Sequence, residues 1–181
     1  MADVRDALLD AAYDAAVTTG WQRARMADIA SAAKVSRQTL YDQFGSREGL
    51  ALHLALRETQ RFLDGVETAM GSHQDPAHAI EAAAAFALKA ADSNPLIRSI
   101  LTEDGEAGLL PYLTTRAEPL IETAQRRLVA HVGAHWPGLE FAEAAELVVR
   151  LTLSYLVMPG GDDAPRRIAR VAATVLDLQR N

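Results

Sequence analysis

Apolar residues recur along this chain at three- and four-residue spacing, which gathers them on one face of a helix. Val4, Leu8, Ala11, Ala12, Ala15 and Ala16 predict a first helix from about Asp3 to Thr18, stopped by Gly20. Met26, Ile29, Ala30 and Ala33 mark a short second helix, Arg25 to Ala33, and Lys34-Val35-Ser36 reads as a tight turn. Ser36 is a good N-cap for a third helix, Arg37 to Gln43. Gly45 breaks that helix, and Ser46 caps a fourth that runs to about Met70. Asp75-Pro76 sets a capping carboxylate before a proline at the first helical position, and Asn94-Pro95 repeats the device. These two helices reach about Ala91 and Glu103. Asp104 to Leu113, with Gly105, Gly108 and Pro111, reads as a loop or broken helix. A long helix follows from about Thr115 to Trp136, and Pro137-Gly138 closes it. Glu140 to Met158 is the most apolar stretch, ended by Pro159-Gly160-Gly161, and Asp163 caps a last helix to about Leu178. No clear segment alternates as a half-buried strand does. The class is therefore all-α, with about nine helices.

Composition agrees. Alanine is abundant, as in the run Ala82 to Ala85, and it is the strongest helix former. There is no cysteine, so disulfides and thiolate chemistry are excluded. Asp3 and Asp6 do not open a signal peptide, and the uncharged apolar run Leu151 to Gly161 is too short to span a bilayer. A cytoplasmic protein without a membrane partner is expected. The overall charge of −6 argues against a nucleic-acid partner until its distribution is read. Residues 20–47 carry Arg23, Arg25, Lys34, Arg37 and Arg47 against Asp28 and Asp42, a net of +3. Residues 1–19 are at −3 and residues 48–181 at −6. A nucleic-acid site needs only such a local basic footprint.

That footprint coincides with two short helices joined by a tight turn after a longer supporting helix, the helix-turn-helix pattern. One helix fits the major groove while its neighbour braces it. Ile29, Ala33, Val35, Leu40 and Phe44 are the expected buried contacts. Arg37, Gln38, Thr39, Tyr41, Asp42 and Gln43 then fall at or near the exposed side. Arg and Gln can form paired hydrogen bonds to guanine and adenine; Thr39 and Tyr41 suit phosphates or a thymine methyl. Arg47, in the first turn of the fourth helix, is expected to clamp a phosphate.

The wording of residues 8–50 is more specific still. Leu8-Leu9-Asp10-Ala11-Ala12, Gly20-Trp21, Asp28-Ile29-Ala30, Ala33-Lys34-Val35-Ser36, Thr39-Leu40-Tyr41, Phe44 and Arg47-Glu48-Gly49-Leu50 closely resemble the signature of the tetracycline-repressor (TetR) family. Arg150 to Leu156 followed by Pro159-Gly160 is similar to the dimerisation-helix region of some members. The resemblance implies a DNA-binding domain at 1–47, with its recognition helix at 37–43 and DNA contacts from Arg37, Gln38, Thr39, Tyr41 and Gln43. It adds Arg25 from the second helix, and Lys34 and Ser36 from the turn. Two positions depart from the family. Arg25 stands where a capping Thr is common, and Lys34 where Gly is common; at positive φ, Lys costs roughly 1 kcal/mol relative to Gly.

The remaining residues, 48–181, are then a ligand-binding and dimerisation domain. The Glu140–Met158 helix is apolar on nearly every side after Arg150, so it has to be buried all round. The last helix has a narrow seam, Ile168, Val171, Val175 and Leu178. Together they predict a homodimer through a four-helix interface, two helices from each protomer. The resemblance also implies an effector cavity, with Phe62, Phe86, Ile97, Ile100, Leu101, Tyr112, Leu113, Trp136, Tyr155 and Met158 as candidate walls and a hydrophobic small molecule as ligand. The expected function is a sequence-specific regulator, a repressor by family default, released from a palindromic double-stranded operator by that ligand. The alternatives are a helical metal-binding enzyme and an interaction scaffold. His131 and His135 share a helical face, and Glu103, Asp104 and Glu106 form an acidic cluster. However, the H-E-x-x-H zinc motif, a Gly-rich phosphate loop, a nucleophile elbow and paired catalytic carboxylates are all missing. No catalytic residue, cofactor or metal is therefore expected.

Overall fold

A computed structural model describes residues 4–102 and 108–179. Among these residues it holds nine α-helices, one 3₁₀ turn and no strand. The first three helices are α1 (Val4–Thr19), α2 (Met26–Ala32) and α3 (Arg37–Phe44). They are followed by α4 (Arg47–Gly71), α5 (Pro76–Ser93) and α6 (Pro95–Thr102). The 3₁₀ turn Leu110–Leu113 leads into α7 (Glu118–His135), α8 (Ala142–Val157) and α9 (Ala164–Gln179). The helix starts follow from local chemistry. Ser36, Ser46 and Asp75 each accept a hydrogen bond from the backbone N–H three residues on, at 3.0, 3.0 and 2.9 Å. Asn94 Oδ1 accepts from the amides of Leu96 and Ile97 at the start of α6. Arg25 sits at the N-cap of α2 without a capping side-chain bond. Lys34 has φ 58, so the turn does take the left-handed conformation that favours glycine.

Two hydrophobic clusters organise the chain. The larger is a bundle in which α5 lies between α4 and α9, α7 packs on α4 and α8, and α8 packs on α9. On α5 the buried face is Ala79, Ile80, Ala83, Ala84, Ala87 and Ala91. The five alanines among them let neighbouring helices come close. The second cluster joins α1, α2, α3 and the start of α4 to Leu96, Ile100, Leu109 and Tyr112. It therefore runs past residue 47 into α6 and the 3₁₀ turn. Two long-range bonds fasten it: Ser99 Oγ donates to the Ala16 carbonyl at 2.9 Å and Tyr112 Oη to the Glu48 carbonyl at 3.1 Å.

The seam predicted on α9 divides in the structure. Ile168 is fully buried inside its own protomer, because α9 turns that face onto α5 and α8, whereas Val171 is 37% exposed. The side chain of Leu178 and the cluster Glu103, Asp104 and Glu106 lie outside the described residues. On α8 the buried residues are Ala144, Ala145, Val148 and Val149. Leu147, Leu151, Tyr155 and Met158 are left partly or fully open to solvent. No helix among the described residues is long and apolar enough to cross a membrane.

Candidate nucleic-acid interface and effector cavity

The basic segment folds with most of its polar side chains exposed. Leu40 and Phe44 anchor α3 in the core, supported by buried Ile29 and half-buried Ala33 and Val35. Arg37, Gln38, Tyr41 and Gln43 are exposed on the same helix and Thr39 is half-buried. Arg25, Lys34 and Ser36 are exposed beside it. Two pairs within α3 are already joined. Ser36 Oγ lies 2.9 Å from Thr39 Oγ1, and Gln38 Nε2 donates to Asp42 Oδ1 at 2.7 Å. Arg5 of α1 lies over the Phe44 ring and donates to the Gln43 carbonyl, which ties the end of α3 to α1.

Arg47 departs from the sequence expectation. Its guanidinium turns inward and donates to the carbonyls of Trp21 and Ala24, with its carbon 5.1 Å from the centre of the Trp21 ring. The Trp21 carbonyl also accepts the Ala24 backbone N–H at 3.2 Å, and Arg47 adds a charged donor from α4 to this α1–α2 loop. It holds the helix-turn-helix together rather than standing free for a phosphate. The next turn of α4 also has a special residue. A Cβ on Gly49 would lie 2.0 Å from the Phe44 carbonyl oxygen, so only glycine lets the end of α3 sit this close to α4.

Further along α4, charged groups bind it to its neighbours. Arg57, with only 12% of its side chain exposed, donates to Asp10 of α1 at 2.8 Å and to Glu58 at 3.0 Å. Arg61 also reaches Glu58, at 3.1 Å. Arg127 of α7 makes a two-pronged contact to Glu67, at 2.7 and 2.6 Å, and pairs with Asp64 at 2.9 Å. The bond to Glu67 is the chief reason the Arg127 pKa is raised above its ordinary value. Thus α4 is ionically fastened to α1 near its middle and to α7 further along.

Alongside these fastenings lies a cavity of about 140 Å³ with an almost wholly apolar wall. Its α4 residues extend from Leu54 to Met70, roughly 24 Å along the helix axis. Phe62, Ile97, Ile100, Tyr112 and Leu113 line it, as the sequence reading proposed. Phe86, Leu101, Trp136, Tyr155 and Met158 do not. Phe86 lies on the outer side of α5 and rests on Gly65, where a Cβ would meet its ring at 2.2 Å. Leu101 is 38% exposed and Met158 75% exposed. Trp136 donates its indole N–H to the Gln74 carbonyl at 2.7 Å, and the Tyr155 ring packs over Gly160. Size alone points to these large residues, but helical phase decides which side chains face inward. The wall missed in the sequence is built from small and aliphatic residues in register, such as Leu63, Val66, Ala84, Ala87, Val149 and Leu153.

Among the described residues, no lysine, arginine or histidine lines the cavity. The one charged residue among the described lining residues, Glu58, is paired with Arg57 and Arg61. Tyr112 Oη and Thr152 Oγ1 already donate to backbone carbonyls. The site offers apolar surface and little polar valence.

His131 and His135 stack on each other, ring centres 4.1 Å apart, and His135 Nδ1 lies 2.8 Å from the His131 carbonyl. Burial, then the neighbouring His135, lowers the His131 pKa, and its Nε2 is buried without a partner. Among the described residues, no group of three or more His, Cys, Asp or Glu is placed to hold a metal ion.

Residues 8–54 match the family model for bacterial regulatory proteins of the tetR family. Residues 75–177 match the model for the C-terminal domain of the bacterial tetracyclin repressor. The HTH-type transcriptional regulator AlkX of Mycobacterium tuberculosis (strain ATCC 25618 / H37Rv) is 38% identical over 162 residues, 86% of this chain and 76% of that protein. The crystal structure of the TetR family repressor AlkX from Dietzia sp. strain DQ12-45-1b, implicated in biodegradation of n-alkanes, is 28% identical. It superposes with a TM-score of 0.75 over 97% of this chain and 95% of its own. The same fold, at 17% identity and a TM-score of 0.64, occurs in RolR complexed with resorcinol, over 97% of this chain and 86% of that one.

Proposed function

This chain belongs to the TetR family of bacterial transcriptional regulators, and from that premise we propose a dimeric repressor released from a palindromic operator by an uncharged, elongated aliphatic effector. Family membership makes it a helix-turn-helix DNA-binding protein and not an enzyme. The observation that carries the finer reading is α4. This 25-residue helix meets the DNA-reading helix at one end and walls the cavity from Leu54 to Met70, near its other end. In this reading α3 reads the major groove through Arg37, Gln38, Tyr41 and Gln43. Arg25, Lys34, Ser36 and Thr39 grip phosphates, and Arg47 supports them from within.

The second copy covers the face of α8 and α9 that carries Leu147, Leu151, Tyr155, Val171 and Val175. These residues are apolar and incompletely buried in one protomer. A two-fold pair then sets two recognition helices at a fixed spacing, and the spacing selects the operator. The effector is assigned by the cavity wall. A carboxylate or phosphate head would be buried there without a partner, which costs several kcal/mol. An alkyl chain gains about 0.8 kcal/mol for each CH₂ taken out of water. Similarity to a repressor implicated in n-alkane biodegradation supports this class. Filling the cavity shifts α4 between two arrangements, and Arg57, which holds Asp10, carries that shift to α1.

The test begins with selection from a pool of random duplexes at fixed salt, wild type beside an Arg37→Ala/Tyr41→Ala variant. A palindrome enriched by the wild type and lost in the variant is expected; no enrichment from a folded dimer would overturn the operator reading. Hexadecane and hexadecanoate are then titrated against that complex, with Ala84→Phe as the filled-cavity control. Release by hexadecane in the wild type alone is the expected result, and equal or better release by the anion would overturn the uncharged assignment.

A further inference from the structure

We propose that Asp42 is a specificity-determining residue that acts through Gln38, by fixing which way the Gln38 amide faces. The proposal rests on the reading of α3 as the recognition helix. Gln38 and Asp42 are one turn apart on α3, both exposed, and Gln38 Nε2 donates to Asp42 Oδ1 at 2.7 Å. That is the short range of a hydrogen bond to a charged acceptor.

The chemistry of the two side chains makes this bond directional. A carboxylate only accepts, whereas an amide has a donating end and an accepting end. Asp42 therefore holds Nε2 toward itself and excludes the flipped rotamer, which would set Oε1 against a negative charge. One N–H and the carbonyl oxygen of Gln38 are left as an ordered donor–acceptor pair. Adenine presents the complementary pair in the major groove, N7 as acceptor and N6–H as donor. A free glutamine would have to be ordered on binding, at a cost in side-chain entropy. Here the free protein already holds it.

Asp42 also repels phosphate. It is an acidic side chain on a helix whose other formal charge is Arg37. Non-specific binding is carried by phosphate attraction, so a carboxylate at the surface weakens it at every sequence alike. The ordered amide raises the ratio of specific to non-specific affinity, and the phosphate repulsion lowers both affinities together. An i, i+4 Gln–Asp bond also stabilises an isolated helix a little, but helix stability does not alter which base is preferred at one position.

The experiment is selection from random duplexes followed by affinity measurements on the selected site and its single-base variants. It uses the full-length wild type, Gln38→Ala, Asp42→Ala, Asp42→Asn and Gln38→Ala/Asp42→Ala. Gln38→Ala should lose about 5- to 150-fold discrimination at one base pair of each half-site, the range of a paired base contact. Asp42→Ala should lose part of that discrimination at the same base pair while its non-specific affinity rises. Asp42→Asn, whose amide can pair with either end of Gln38, should lose discrimination in the same way with unchanged helix content. The double variant should match Gln38→Ala in base preference. Asp42→Ala that relaxes a different position, or a double variant whose loss is the sum of the two single losses, would show that Asp42 contacts a base itself and would overturn the proposal. Unchanged base preference in both Asp42 variants would overturn it too. If Gln38→Ala keeps the wild-type motif, the fault lies with Gln38 as a reader and the proposal falls with it.

Discussion

Replacing Arg47 with alanine separates two roles that an arginine beside a DNA-reading helix can play. The structure ties its guanidinium to the Trp21 and Ala24 carbonyls and lays it against the Trp21 ring. Hydrogen bonds from a charged donor contribute about 1.5–3 kcal/mol each, and a cation over an indole about 0.5–1 kcal/mol when exposed. Arg47 is only half-buried, so water replaces part of this; a net loss of about 2–4 kcal/mol is the working figure. In a chain of this size that lowers the melting temperature by roughly 4–16 °C. A lysine reaches one carbonyl at a time, so Arg47→Lys should recover about half of the loss. The assay is thermal unfolding followed by Trp21 fluorescence in a Trp136→Phe background, together with operator affinity measured across a salt series. A residue that neutralises a phosphate contributes about 0.9 to the slope of log affinity against log salt. Arg47→Ala should keep the wild-type slope and lose stability, whereas Arg25→Ala should keep stability and lose about one unit of slope. An Arg47→Ala protein with the wild-type melting temperature and a slope reduced by one would refute the structural assignment.

Gly49→Ala should destabilise the protein by about 1–3 kcal/mol, as overpacking does, although alanine is the better helix former by about 0.5–1 kcal/mol. A denaturant midpoint at or above the wild type would contradict the 2.0 Å approach to the Phe44 carbonyl. Lys34→Gly relieves roughly 1 kcal/mol of left-handed strain but loosens the unfolded chain by about 0.4–1 kcal/mol. Stability should stay within about 0.5 kcal/mol while the salt slope falls by about one, and an unchanged slope would remove Lys34 from the phosphate contacts. The His131 pKa is depressed in the folded protein, so the unfolded chain binds the extra proton first as pH falls. Stability should be steady above about pH 7 and decline as pH drops through the unfolded value near 6.5 toward the lower folded value. His131→Phe should flatten that decline in a urea-midpoint series, and an unaltered decline would place its cause in other groups.

The helices were legible because their signals are local. Ser36, Ser46, Asp75 and Asn94 cap where the sequence places caps, and Leu40 and Phe44 are core as their spacing requires. The basic segment and its position next to a tight turn were equally plain. What the sequence hid depends on tertiary phase and reach. Arg47 looks like any other cation of that segment until the α1–α2 loop brings Trp21 and Ala24 beneath it. Phe86 looks like a cavity wall until α5 presents Ala83, Ala84 and Ala87 instead. A period of 3.6 residues ranks faces but does not say which neighbour a face meets, so the apolar rows on α4 and α8 could not be assigned to the cavity. Ile168 was misplaced for the same reason: one narrow seam on α9 serves both its own core and the outer face.

Leu54, Leu96, Ile100, Leu109 and Tyr112 belong to the cavity wall and also to the hydrophobic cluster beneath the helix-turn-helix. That double membership divides the pocket by evolutionary freedom. A change at any of the five alters ligand fit and DNA-domain stability together, so selection for a new effector would seldom pass through them. Phe62, Ala84, Val149 and Leu153 lie in the wall but outside that cluster. Relatives of this protein can diverge in what they sense by changing the far wall, residue by residue, while the near wall and the operator-reading machinery it supports are inherited intact.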